Sequence, residues 1–173
     1  NAATANSLVI GSGKSLTING EVFIGTDSAT DALTNLTATG GGNLVVNSSG
    51  ANFQVGGATG GTNANKAAVD LSGLASFTAD LGAGVFRIGD NNTGFAFANS
   101  STVTLAGISN SITAGQIRIG DGTGDDVVHT LTLGTGTNAL NADLINVGSA
   151  IDNARSSGEI VFDGLDTSGS VVI

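Results

Sequence analysis

Cysteine is absent from this chain, as are proline, tryptophan, tyrosine and methionine. The lack of cysteine excludes disulfide staples, thiolate zinc sites and a cysteine nucleophile, and it suits an exported protein that avoids unwanted crosslinks. Basic residues are scarce: five Lys and Arg stand against 14 Asp and Glu, for a net charge of -9. That balance argues against nucleic acid and against an anionic membrane surface, both of which are recognised through cationic side chains. It leaves cations as candidate partners. No apolar run approaches the roughly 20 residues of a membrane helix. Helix of any kind is disfavoured, because no stretch joins helix-forming residues to a 3.6-residue period over three turns.

What the chain does hold is glycine, 28 residues of it in 173, together with abundant Asn, Thr, Ser and Ala. Small side chains of this kind suit tight corners and close backbone stacking. The apolar fraction of 40% is enough to fill a core, and aliphatic residues make up most of it, since seven phenylalanines are the only aromatics.

A phrase of the form apolar-x-apolar-Gly-small returns six times: LVIGS at Leu8, VFIGT at Val22, FQVGG at Phe53, FRIGD at Phe86, IRIGD at Ile117 and INVGS at Ile145. Its glycines are Gly11, Gly25, Gly56, Gly89, Gly120 and Gly148, so after a first step of 14 the intervals are 31, 33, 31 and 28 residues. A second phrase precedes it: VDLSGLASFTAD from Val69, VTLAGISNSITAG from Val103, LTLGTGTNALNAD from Leu131, and IVFDGLDTSGSVVI from Ile160. Each alternates apolar and polar residues, the period-two pattern of half-buried strands. In the copy from Val103 the expected inward residues are Val103, Leu105, Ile108, Ile112, Ile117 and Ile119, with Thr104, Thr113 and Arg118 facing out. That gives three short strands, VTLAG, SITAG and QIRIGD. The drift in period is taken up by polar insertions after each glycine corner, which a solenoid tolerates without losing coil register.

The expected fold is therefore all-β, a parallel β-solenoid (β-helix) of about five to six coils of roughly 31 residues with three short strands each. Residues 1–173 read as a single domain, a rod about 25 Å long at ~4.8 Å per coil. Equivalent residues should stack, Gly89 over Gly120, Arg87 over Arg118 and Asp90 over Asp121. Both ends read as strand without a cap, so the chain is expected to be a segment of a longer array or a subunit of a head-to-tail filament.

These phrases, with the coil LTLGTGTNALNADLINVG, resemble the Gly-, Asn- and Thr-rich repeats of bacterial surface β-solenoid proteins such as autotransporter passengers and filamentous adhesins. The resemblance covers nearly the whole chain and carries no catalytic residue. It implies an extracellular or cell-surface location and a structural role, with reach and surface coverage as the task.

The acidic corners are the clearest chemical signal. IGDNNTG at Ile88 and IGDGTGDD at Ile119 place Asp90, Asp121, Asp125 and Asp126 after the same strand, and IGTDSATD at Ile24 adds Asp27 and Asp31. Calcium takes several oxygen ligands from such flexible loops, which makes a calcium- or glycan-binding module the alternative reading. The nine-residue calcium roll is absent, however, and turns favour Asp and Asn for backbone reasons alone, so solvated turn residues are the first expectation.

Arg87 and Arg118 read as a solvent-facing ladder paired with nearby acids, and surface pairs contribute little. His129, the single histidine, reads as a structural residue at a strand entry. The Asp125-Asp126 pair admits a polysaccharide-active enzyme as a third reading, but the Trp and Tyr platforms that hold sugars are missing. The expectation is no enzyme. The pairs Thr102/Thr104 and Thr130/Thr132 form TxT steps in adjacent coils, interrupted at Ala68 and Asp70, as ordinary β-propensity would give.

Overall fold

The computed structural model describes residues 4–25, 33–56, 66–89, 100–121, 128–148, 157–162 and 169–173. Three coils have three strands each: β1 (Thr4–Val9), β2 (Ser15–Ile18) and β3 (Val22–Ile24); β4 (Leu33–Thr39), β5 (Asn43–Asn47) and β6 (Phe53–Val55); β7 (Lys66–Asp70), β8 (Ser76–Asp80) and β9 (Val85–Ile88). The next two have a first strand, β10 (Thr102–Thr104) or β12 (Val128–Leu133), then one long strand, β11 (Ser109–Ile119) or β13 (Thr137–Val147). Two further strands, β14 (Ser157–Phe162) and β15 (Ser170–Val172), begin another coil. Every strand pair is parallel, and the first strands stack six deep in chain order. This is a parallel β-solenoid, and the described residues contain no helix.

The stacking follows the sequence phrases. Val69, Val103, Leu131 and Ile160 pair in one column, while Phe53, Phe86, Ile117 and Ile145 pair in another. The expected overlay of Arg87 on Arg118 is present. Inside, Phe53 and Phe86 stack with ring centroids 5.1 Å apart, and Phe77 leans on both. These fully buried rings and the Ile, Val and Leu columns around them form one continuous core. Burial of this kind contributes roughly 25 cal/mol per Å² of apolar area and is the main source of cohesion.

Three expectations need correction. SITAG and QIRIGD do not form separate strands: only Ala114 and Gly115 lie between the paired Thr113 and Gln116, whereas Leu81 to Gly84 lie between Asp80 and Val85 one coil earlier. The shorter corner lets the ladder run through. Ile108 does not face inward and is 67% exposed. Ile108 lies in the bend that precedes β11 and points out, whereas Asn110, the second residue of the strand, takes the inward place, paired with Phe77. Finally, LVIGS is not a copy of the other five phrases. Gly11 follows β1 and bridges Gly41 at a different corner. The remaining glycines share one corner, each with positive φ, and successive N–H groups of Gly56, Gly89, Gly120 and Gly148 donate to the carbonyls of Ile24, Val55, Ile88 and Ile119.

Candidate functional site

The corner after the third strand gathers the polar residues that sequence pattern singled out. Arg87 on β9 and Arg118 on β11 are outward neighbours in adjacent coils, and Asp121 follows the Gly120 corner. The Asp121 carboxylate turns back onto both guanidinium groups. Arg118 Nη1 donates to Oδ2 at 2.7 Å, and its Nε donates to Gln116 Oε1 at 2.6 Å. Arg87 lies farther off, with Nη2 3.5 Å from Oδ2 and Nε 3.5 Å from Oδ1. The latter two atoms have no hydrogen bond, so Arg87 holds Asp121 by charge more than by directed bonding.

This pairing is not the solvent-facing ladder that the sequence suggests. The Asp121 side chain is only 3% exposed, and those of Arg87 and Arg118 are 15% and 30% exposed. Two like charges stacked one coil apart repel each other, and a single buried carboxylate between them offsets that repulsion. Its oxygens face cations already supplied by the protein. Asp90, Asp125 and Asp126, the other residues named for calcium, lie outside the described residues, as do Asp27 and Asp31. Among the described residues, no group of three His, Cys, Asp or Glu side chains is placed to hold a metal ion.

Next to this cluster is His129, which is buried at the start of β12. Its Nδ1 accepts a hydrogen bond from the Ser101 backbone N–H at 3.0 Å, and Ser101 Oγ accepts one from the Ala67 N–H at 3.3 Å. The ring packs over Gly89: a Cβ there would come within 2.8 Å of imidazole atoms. Burial lowers the His129 pKa, while the charge of Asp121 opposes that shift.

Ser101, His129 and Asp121 thus come close in space, but they do not have the bonding of a catalytic triad. There, Nδ1 carries a proton toward the carboxylate and the serine hydroxyl donates to the other nitrogen. Here Nδ1 is an acceptor from main chain, and all three residues are buried. The arrangement ties the start of one coil to the end of another.

Sequence pattern did not reveal a second polar element, in the core. Asn110 Nδ2 donates to Ala106 O and to Asn138 Oδ1, each at 2.8 Å, and Asn110 Oδ1 accepts from Ala106 N–H at 3.0 Å. Asn138 Oδ1 accepts from Gly134 N–H at 3.1 Å, and its Nδ2 reaches the carbonyls of Gly134, Gly136 and Ser170. The available signal was parity, since both asparagines occupy the inward position held by Phe77 in the coil before.

The fold and these corner and core ladders define the class: a parallel β-solenoid repeat protein. Comparison with protein-family models, with curated proteins and with solved structures gave no match to this chain.

Proposed function

We propose that this chain is a structural element, a stretch of an extracellular or cell-surface rod that extends by stacking coil upon coil. The observation that carries this reading is the regularity of the stack: the first strands pair in parallel six deep in chain order, and one continuous apolar core runs through the coils. Each coil buries its apolar edge only against the next, so the architecture lengthens by adding like strands. The exported setting fits the absence of cysteine and the net charge of -9.

The test is mass per unit length by electron microscopy of concentrated protein. A single-file rod of 16.7 kDa units with coils ~4.8 Å apart should give about 0.6 kDa per Å. Compact aggregates without a constant width would overturn the reading.

A further inference from the structure

The corner between β2 and β3 carries a dipeptide found nowhere else in the chain: of all its asparagines, only Asn19 is followed by glycine, Gly20. Asn19 stands one step beyond the paired Ile18 and Val46, level with Asn47 of the next coil. The same column continues through Asp80, Thr113 and Asn141. It points outward, and Asn19, Asn47, Asp80 and Asn141 are all exposed. The exposure of Asn19 is thus a property of this corner in successive coils.

The backbone beside the column differs between coils. The Ser48 N–H, just after Asn47, donates to Asp80 O at 2.9 Å, and the Leu81 N–H, just after Asp80, donates to Thr113 O at 2.8 Å. The Gly20 N–H has no such bond among the described residues. Corner length accounts for the difference. Asn19 to Glu21 alone join β2 to β3, whereas Ser48 to Asn52 join β5 to β6. The shorter path leaves the ladder after Ile18 and rejoins it at Val22, whose N–H donates to Asn52 O at 2.9 Å. Neither conformation nor space demands glycine here: Gly20 is not among the glycines with positive φ, and an added Cβ would meet nothing within 4 Å. The result is an exposed carboxamide next to an unbonded, unshielded main-chain nitrogen. Two such neighbours are held close enough for an intramolecular ring closure.

We propose that Asn19-Gly20 is a site of spontaneous covalent modification, at which the folded protein converts Asn19 to aspartate and isoaspartate. Hydroxide takes the proton of the Gly20 amide, and the nitrogen attacks Asn19 Cγ. The N–Cγ bond forms, the Cγ–Nδ2 bond breaks, and Nδ2 leaves as ammonia with a proton returned by water. Water then adds to one of the two carbonyls of the five-membered succinimide. Breaking the N–Cγ bond gives aspartate, whereas breaking the bond from nitrogen to the Asn19 main-chain carbonyl carbon gives isoaspartate, with an extra methylene in the main chain. Nothing is oxidised or reduced. Either product adds a negative charge to the column that holds Asp80, and isoaspartate also lengthens the short corner before β3. None of this depends on coils adding end to end.

The test holds the full chain in mildly alkaline buffer and follows it by intact mass and peptide mapping, beside its Gly20→Ala variant and the free peptide of residues 15–24, SLTINGEVFI. We expect a gain of about 1 Da at Asn19 in the folded chain, as NH2 is replaced by OH, with isoaspartate detected by enzymatic methyl transfer to its carboxylate. Asn47, followed by serine, should convert at least about tenfold more slowly, because the Ser48 N–H must first give up its bond to Asp80 O. Gly20→Ala should slow the reaction at Asn19 and leave the β-sheet circular dichroism unchanged. An Asn19 that stays intact in the folded chain after the peptide has converted would overturn the proposal, and so would conversion of Asn47 as fast as Asn19.

Discussion

Asn110 donates its side-chain amide to the Asn138 carbonyl oxygen across 2.8 Å, inside the core and between successive coils. The two residues satisfy each other and the corner backbone around them. A polar pair is tolerated in this position because its bonding is nearly complete.

Truncation should expose that dependence. Asn138→Ala leaves the Gly134 N–H and several carbonyls without their partner, and we expect it to destabilise the fold by roughly 2–4 kcal/mol. Asn138→Leu should also destabilise, although it fits the apolar column better. Urea denaturation of the three proteins checks this. A leucine variant as stable as the parent would show that the ladder is dispensable.

Gly89 and Gly13 both have positive φ, at 100° and 70°, but only Gly89 lies under a side chain. Gly89→Ala combines left-handed strain with collision against the His129 ring, so a loss of about 2–4 kcal/mol is expected. Gly13→Ala, with nothing within 4 Å of the added carbon, should cost about 1 kcal/mol. Parallel melting curves would distinguish the two.

Asp121→Asn removes the charge that separates Arg87 from Arg118. Because the carboxylate is buried and the arginines are partly exposed, we expect about 2–3 kcal/mol of destabilisation. The loss should be nearly independent of salt between low and physiological ionic strength, unlike that of an exposed pair. Chemical denaturation at two salt concentrations provides the measurement.

The buried His129 gives the fold an acid-side weakness. Burial holds its pKa below the ordinary 6.5, against the opposing charge of Asp121. Between that lowered value and 6.5 the unfolded chain binds the proton that the folded chain resists, so this contribution to stability falls as pH drops below about 6.5. Protonation of Nδ1 would also set it against the Ser101 N–H donor. The melting temperature from pH 7.5 to 5 should decline more steeply for the parent than for His129→Gln. Identical slopes would remove His129 from the acid response.

Much of the fold was legible because aliphatic residues in strands obey a two-residue period and the phrases repeat at a coil length. Val69, Val103, Leu131 and Ile160 needed only that pattern to be aligned. The corners were less legible. Ile108 carries an inward kind of side chain on an outward position, because it lies in the bend before β11, and Asn110 is the converse. Asp121 reads as a solvated turn residue until the fold brings Arg87 to it from 34 positions earlier. Of the four acidic residues named for calcium, only this one lies among the described residues, and its partners are arginines.

Coil-on-coil extension is tested most directly by sedimentation equilibrium of the parent chain beside a Leu16→Lys, Phe162→Lys variant. Both residues belong to inward columns, paired with buried Leu44 and Leu133, and are 37% and 42% exposed at opposite ends of the described stack, so a charge at each should block end contact. We expect the parent to show a weight-average mass that rises with concentration in steps of 16.7 kDa, and the variant to remain at one unit. A parent that stays at one unit up to millimolar concentration, or a variant that associates equally well, would contradict the account.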